Sequence, residues 1–209
     1  MSTELNEDSV ISMTDLLVRD MARGFAFNED KDAFLGDGTA TYGGHTGILN
    51  ALHAGAKVTT GANFGAATLS DFEKMAGKLK QYPGIQPRWF ISRYGYFNSM
   101  LALLNQLGGT DIRQVEAGGE LYFLGYPVTF TQVLPGEGAT TGELFCVLGD
   151  LDLGSYLGTR RQVSIRTLNE LHAANDQIGV IGTTRTVPNI HSVGDATDAG
   201  AIVAMVGGA

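Results

Sequence analysis

A long amphipathic segment between Ser12 and Gly38 constrains the fold more than any other part of this sequence. Ser12 and Asp15 have the S-x-x-D spacing of a helix start, in which the hydroxyl and the carboxylate satisfy free amides of the first turn. Apolar side chains then recur every fourth position and so share one helix face. They are Met13, Leu17, Met21 and Phe25, with Leu16 beside them. We predict a spine helix over 12–35, ended by a glycine turn, whose apolar face packs in the main core.

Two further helices are predicted from the same periodicity. The first spans Thr68–Gln81, with Ser70 and Glu73 as its capping box. Its apolar face consists of Phe72, Met75, Ala76 and Leu79. The second spans Tyr94–Leu107 and stops at Gly108, and its apolar face consists of Tyr96, Met100, Leu103 and Leu107.

Strands are predicted where apolar residues alternate or run continuously over a short length. The predicted strands are Arg88–Ser92, Leu121–Phe123, Tyr126–Thr131, Glu143–Leu148, Thr159–Leu168 and Ala201–Val206. The continuous apolar run Glu143–Leu148 is typical of the middle of a covered sheet. In Thr159–Leu168, Val163 and Ile165 are expected to face inward. Helices and strands are interspersed without regular alternation, which favours an α+β fold over a doubly wound sheet.

Composition excludes several function classes. The 209 residues are 44% apolar, enough for a core, and 22 acidic against 14 basic residues give a net charge of −8. Such a charge disfavours tight binding of nucleic acid. A single cysteine, Cys146, excludes an internal disulfide, and no signal peptide or apolar run of membrane length is present in this sequence. We expect a setting inside a cell or inside a particle.

The glycine-rich loop from Gly36 to Gly47 is the one stretch that suggests a small-ligand site. It follows a helix, whereas a dinucleotide-binding loop follows a strand, and no Walker lysine comes after Gly43 and Gly44. A tight turn is therefore the simpler interpretation.

The remaining candidate groups also have structural explanations. The four histidines, His45, His53, His172 and His191, lack the spacing of metal ligands. Cys146 lies within an apolar strand and is expected to be a buried core residue. Asp150 and Asp152 lack the rest of a calcium loop and fit a turn at a strand end. For Arg160, Arg161 and Arg166, a solvated face and pairing with acidic groups of another subunit remain equally open. We predict no catalytic, cofactor-binding or metal-binding residue.

Several motifs occur together in one order along the chain. They are FLGDGT with GGHTGIL, RWFIS, GGELYFLGYPVTFTQVLP, LFCVLGDLDLGSYLGTRRQVSIR, NDQIGVIGTTR and DAGAIVAMV. In this order the sequence resembles the C-terminal two-thirds of the major capsid proteins of tailed bacteriophages, which have the Hong Kong 97-like fold.

The resemblance implies a structural protein with two domains. A peripheral domain would hold 1–86 and 159–186, including the spine helix, and an axial domain would hold 87–158 and 187–209. Copies of the chain would form hexamers and pentamers of an icosahedral virion shell around double-stranded DNA, during assembly in the host cytoplasm. Scaffold, prohead protease and portal are further expected partners, and no membrane or cofactor is expected.

Two alternatives stay open. The same fold builds encapsulin-type bacterial compartments, and a more distant alternative is a small-ligand or enzymatic domain that uses the Gly36–Gly47 loop. The family's N-terminal arm and extended loop have no counterpart in residues 1–11, so we expect this chain to form monomers or weak rings in dilute solution and not to close a stable shell by itself.

Overall fold

The computed structural model describes residues 13–106, 116–117, 120–137, 141–168, 170, 173–175 and 177–208. The predicted helix cap at Ser12, the helix stop at Gly108 and the side chains of Leu107 and His172 lie outside these residues. The chain divides into two compact units, one formed by Met1–Lys31 with Leu157–Val187 and the other by Asp32–Tyr156 with Pro188–Ala209. The predicted assignment to peripheral and axial domains stays a prediction.

The first unit contains most of helix α1, Met13–Leu35, and most of a two-stranded ribbon. The spine helix is therefore confirmed. Its apolar stripe faces inward as predicted but is only half-buried, and Leu16 is 45% exposed. The expectation that this stripe packs in the main core was wrong, because Phe34 is the one fully buried residue of α1. A ribbon of two strands is too narrow to enclose a helix face.

The ribbon comes close to α1 at Gly182, where a larger residue would force neighbouring side chains to move. A Cβ built at Gly182 would lie 2.5 Å from Met21 Cε and 2.9 Å from Phe25 Cε2. The predicted inward face of the first ribbon strand is partly wrong, because Val163 is 46% exposed whereas Ile165 is half-buried. One helix on one face leaves part of each strand uncovered.

The second unit is built on a seven-stranded mixed sheet. Its strands lie in the order β1-β9-β6-β2-β5-β4-β3, and β7 and β8 form the separate ribbon. The strands are β1 Lys57–Thr60, β2 Arg88–Ile91, β3 Glu116–Ala117, β4 Glu120–Phe123, β5 Tyr126–Phe130, β6 Leu144–Gly149, β7 Ser155–Leu168, β8 Gly179–Ile190 and β9 Ile202–Gly207. All six predicted strands are present. Every residue of β6 is buried, as the apolar run predicted for a central strand.

Strand β2 shows how the two faces of the sheet are covered. Successive residues of a strand point to opposite faces. Trp89 is fully buried in an edge-to-face contact with Phe72 of helix α2, Leu69–Lys78. The ring centre of Phe90 lies 6.0 Å from that of Phe34, near the end of α1. One face is thus covered by α2 and the other by the end of the spine helix.

Helix α2 confirms the predicted apolar face but not the predicted cap. Phe72 and Met75 are buried, and the capping box is formed by Thr68 and Asp71 instead of Ser70 and Glu73. Asp71 Oδ2 accepts hydrogen bonds from the Thr68 amide at 3.1 Å and the Thr68 hydroxyl at 2.8 Å. A third bond, from the Thr60 hydroxyl at 3.3 Å, ties this helix start to β1. Tertiary contacts therefore select between two boxes of equal spacing.

The predicted third helix is present but irregular. It runs through Arg93–Gly95, a π-helical stretch Tyr96–Met100 and Leu101–Gln106, with Tyr96 and Met100 buried. Single helical turns occur at Ala40–Tyr42, Ile48–Ala51, Ala54–Ala56, Phe64–Ala66, Leu151–Gly154 and Ala173–Asn175. Within the described ranges, no helix combines the length and the apolar character needed to cross a membrane.

Candidate functional site

The glycine-rich loop uses its own amides and so does not offer a phosphate cradle. Asp37 and Thr46 form an isolated antiparallel bridge. Seven loop amides donate inside the loop, among them Gly38 to His45 O at 2.9 Å, Thr39 to Asp37 Oδ1 at 2.8 Å, Gly44 to Thr39 O at 2.9 Å and Gly47 to Gly36 O at 2.9 Å. An anion site needs amides that point outward from the backbone. The interpretation of this loop as a tight turn fits these contacts.

Two glycines of this loop are needed because backbones meet there. A Cβ at Gly36 would lie 2.5 Å from Asp32 O, and a Cβ at Gly47 would lie 2.6 Å from Gly36 N. The hydrogen bonds from Thr39 hold the pKa of Asp37 below its ordinary value. The loop is a rigid connection that brings the chain from α1 to buried Ile48.

Of the two carboxylates after β6, Asp150 holds the chain together at the end of the strand. Asp150 Oδ1 accepts from the amides of Asp152 at 3.0 Å and Leu153 at 3.3 Å, which caps a single helical turn. Asp150 Oδ2 accepts from the Gln86 amide at 2.8 Å. Because Gln86 precedes β2, this carboxylate ties two neighbouring strands of the sheet together. The predicted turn fits this arrangement.

The other predicted groups are not brought together. Cys146 is fully buried, its Sγ lies 3.9 Å from Met75 Sδ, and burial raises the pKa of its thiol. His45 is half-buried, whereas His53 and His191 are exposed. Arg160, Arg161 and Arg166 are all exposed on β7. Across the described part of the chain, no three His, Cys, Asp or Glu side chains are grouped so that they could hold a metal ion.

Exposed aromatic side chains are the surface feature that sequence reasoning missed. The first cluster, here called the Tyr94 patch, consists of Arg93, Tyr94, Phe97 and Phe130. Tyr94 is 42%, Phe97 52% and Phe130 39% exposed. Buried Tyr96 holds Phe97 and Phe130 in edge-to-face contacts at 5.5 Å each, and the Arg93 guanidinium lies 6.0 Å from the Phe130 ring centre. The available signal was that Tyr94 and Phe97 lie off the apolar stripe of their helix.

A second cluster, here called the Tyr156 patch, consists of Tyr82, Leu153, Tyr156 and His191. The Tyr156 ring is 65% exposed and stacks on the His191 ring, with a distance of 4.5 Å between the ring centres and an angle of 11° between the ring planes. Tyr82, Leu153 and His191 line a shallow cavity of about 280 Å³. The His191 amide donates to Gly154 O at 3.1 Å, which fixes the position of this ring beside the end of β6.

The ribbon of the first unit also exposes apolar side chains. Leu157, Val163, Ile181 and Val187 are each 44–57% exposed. Exposed apolar clusters larger than single residues are typical of surfaces that bind other proteins. The described surface thus fits a protein that binds through extended faces.

Solved structures define the fold of this chain. A capsid of an empty GTA particle matches with a TM-score of 0.68 and 18% identity, over 100% of this chain and 70% of that chain. Mycobacterium phage Bobi matches with a TM-score of 0.68 and 15% identity, over 100% and 69% of the two chains. The SrpI encapsulin of Synechococcus elongatus PCC 7942 matches with a TM-score of 0.67 and 12% identity, over 99% and 70%. The predicted Hong Kong 97-like fold is therefore confirmed.

The sequence itself identifies the family. A family model described as the phage capsid family matches residues 1–187. No curated protein matches the chain in sequence. The chain belongs to the phage capsid family, and its function is that of a major capsid protein, a structural component of the virion shell.

Proposed function

We propose that this chain is the repeating subunit of an icosahedral shell of a tailed phage or prophage, in which pentamers and hexamers surround double-stranded DNA. The observation that carries the proposal is the family match over 1–187 together with the likeness of the whole chain to phage shell subunits. Assembly would take place in the host cytoplasm. Scaffold, prohead protease and portal would be its further partners.

The two predicted domains would have different positions in that shell. Residues 1–86 and 159–186 would form the peripheral domain, and 87–158 with 187–209 would meet around the five-fold and six-fold axes. The exposed apolar side chains of the ribbon β7–β8 and the aromatic patches of the sheet unit support two separate contact surfaces on each subunit. Arg160, Arg161 and Arg166 on β7 are candidates for ion pairs with a neighbouring subunit.

The subunit would surround DNA without binding it specifically. A net charge of −8 gives the chain no general attraction for phosphates, and affinity for DNA depends on neutralising them. A mobility-shift assay at physiological salt should show no complex with duplex DNA. A saturable complex at micromolar protein would contradict this part of the proposal.

The proposal also excludes an enzymatic role. Seven amides of the 36–47 loop are bonded internally, Asp150 is occupied by three amides, and the Cys146 thiol is buried with a raised pKa. None of these groups is arranged to act on a substrate. Purified protein should hydrolyse neither nucleotides nor esters above the level of a blank preparation.

Sedimentation velocity of the full chain tests self-association directly. We expect the weight-average sedimentation coefficient to rise from micromolar to millimolar protein as monomers associate into weak rings. A chain that sediments as a monomer over the whole range would refute the proposed function.

An encapsulin shell is the second candidate because of the SrpI neighbour, and gene context separates the two. Genes for portal, terminase and prohead protease nearby favour the phage shell, whereas a cargo enzyme gene favours a compartment.

A further inference from the structure

The Tyr94 patch and the Tyr156 patch lie at opposite ends of the same sheet. Strands β2 and β5 are parallel, and Arg93, Tyr94 and Phe97 follow β2 while Phe130 ends β5. Strand β6 is antiparallel to β2, and Gly149 at its end pairs with Arg88 at the start of β2. Leu153 and Tyr156 follow β6 and therefore lie at the opposite end, where His191 is bonded to Gly154.

Both patches have the composition and rigidity of protein-binding surfaces. Aromatic residues and arginine are enriched in the energetically dominant centres of interfaces. Each ring of the Tyr94 patch is held by ring contacts with buried Tyr96 or Phe64, and Tyr156 is held by His191. A buried aromatic side chain covers roughly 150–250 Å², so the three exposed rings of the Tyr94 patch leave roughly 250 Å² open. This is about a third of what one partner contributes to a standard interface, the right size for its apolar centre.

The charges around the two patches are complementary. The Tyr94 patch contains Arg93, whose guanidinium lies over the Phe130 ring. Exposed Asp152 directly precedes Leu153 of the Tyr156 patch. Asp195, Asp198 and Lys80 line the adjoining cavity, so carboxylates outnumber ammonium groups there. A cationic aromatic patch and an aromatic patch with an acidic rim attract each other.

We propose that the Tyr94 patch of one subunit docks on the Tyr156 patch of the next copy of this chain. Because the two surfaces differ and lie at opposite ends of the sheet, the contact is head-to-tail. Head-to-tail contacts generate rings when the rotation between copies closes. This inference rests on the proposed shell function and specifies which surfaces join neighbouring subunits.

Complementation between two single variants tests the head-to-tail contact. Phe97→Arg breaks the Tyr94 patch and Tyr156→Arg breaks the Tyr156 patch, and both side chains are more than half exposed, so neither change disturbs the core. Each variant alone should remain monomeric at concentrations where the wild type forms oligomers, a loss of at least about tenfold in association. An equimolar mixture retains one intact contact and should form a dimer that does not grow further, measured by light scattering.

The outcomes of this experiment separate the possibilities. If either variant alone associates like the wild type, or if the mixture stays monomeric, the proposed contact is overturned. The shell function is left intact by either result. Leu16→Arg is the matched control, since Leu16 is 45% exposed on α1 and belongs to neither patch, and it should associate like the wild type. Loss of association in this control would also overturn the assignment. Failure of the wild type to associate refutes the shell function itself.

A charge exchange tests the orientation of the contact. Arg93→Asp and Asp152→Arg should each weaken association by up to about fivefold, the range of exposed ion pairs. The double variant restores opposite charges across the contact and should recover at least half of the wild-type affinity. If the loss of association in the double variant equals the sum of the losses in the two single variants, the pairing of the Tyr94 patch with the Tyr156 patch is contradicted.

Discussion

Replacement of Phe72 by alanine should destabilise the sheet unit more than any surface change. Phe72 is 1% exposed and makes edge-to-face contacts with Trp89 at 5.6 Å and Phe123 at 5.1 Å. Trp89 and Phe123 are in turn joined by a 5.8 Å ring contact and by a hydrogen bond of 2.9 Å from Trp89 Nε1 to Phe123 O. Removing the ring therefore leaves a cavity in the centre of a connected aromatic cluster.

The expected loss can be worked out from these contacts. A buried Phe→Ala change costs about 3–5 kcal/mol in unfolding free energy, which includes the cavity term. Each aromatic pair adds about 0.5–1.5 kcal/mol beyond area burial, so the loss of two pairs places this change in the upper half of that range, at about 4–5 kcal/mol. Since natural domains are stable by only about 5–15 kcal/mol, the variant should be close to its unfolding threshold.

Urea denaturation followed by tryptophan fluorescence measures this loss directly. Trp89 is the single tryptophan of the chain and lies in the affected cluster, so its emission reports the unfolding of the sheet unit. Phe72→Leu keeps most of the volume and should cost about 1–2 kcal/mol. Phe97→Ala, at a 52% exposed position, should cost less than about 0.5 kcal/mol. A loss below 1 kcal/mol for Phe72→Ala would refute the packing described for this cluster.

Four further substitutions give predictions for single positions. Gly24→Ala should raise the stability of the spine helix by up to about 1 kcal/mol, since a Cβ there meets no atom within 4 Å. Gly182→Val should instead cost about 1–3 kcal/mol of stability, because it forces Met21 and Phe25 away. Thermal unfolding measures both changes, and equal effects would contradict the packing of α1 on the ribbon. Asp71→Ala should cost about 1–2 kcal/mol at neutral pH. Burial alone would raise the pKa of Asp71, but the hydrogen bonds from Thr68 and Lys74 hold it below its ordinary value of 3.8. The stability that the ionised carboxylate contributes is therefore present above pH 3.8 and is lost as the pH falls through the folded pKa. If the stability difference between wild type and variant stays the same in acid, this cause is contradicted. Leu124→Asn should raise the unfolding free energy by about 0.5–1 kcal/mol, because Leu124 has a φ of +49° in the turn between β4 and β5 and asparagine tolerates this conformation better than leucine. Urea denaturation measures the change, and a lower stability would show that the Leu124 side chain contributes packing.

Local periodicity was sufficient to predict most elements of this fold. The every-fourth-residue spacing of α1 and the strand predicted over Tyr126–Thr131 appear in the structure at nearly the predicted bounds. The choice of helix cap was not predictable in the same way. Thr68 and Ser70 both begin a capping box, and Asp71 is selected because Thr60 and Lys74 also bond to its carboxylate. Lys74 lies only three residues from Asp71 in the same helix, but the contact with Thr60 depends on how β1 packs beside the helix and is not visible in the local sequence.

The degree of burial and the surface patches depend on contacts that no single segment contains. The α1 stripe has the pattern of a core helix, yet Leu17 and Met21 are half-buried because the ribbon beside them is only two strands wide. The Tyr156 patch joins residues that lie up to 109 positions apart, from Tyr82 to His191. Only the strand order of the sheet unit brings such residues to one end.

Electron microscopy of the assembled chain tests the central claim most directly. Class averages of the concentrated chain should show rings with five-fold or six-fold symmetry. Fields that contain only isolated monomers at millimolar protein, or open fibres without ring symmetry, would contradict the conclusion that this chain is a capsid subunit.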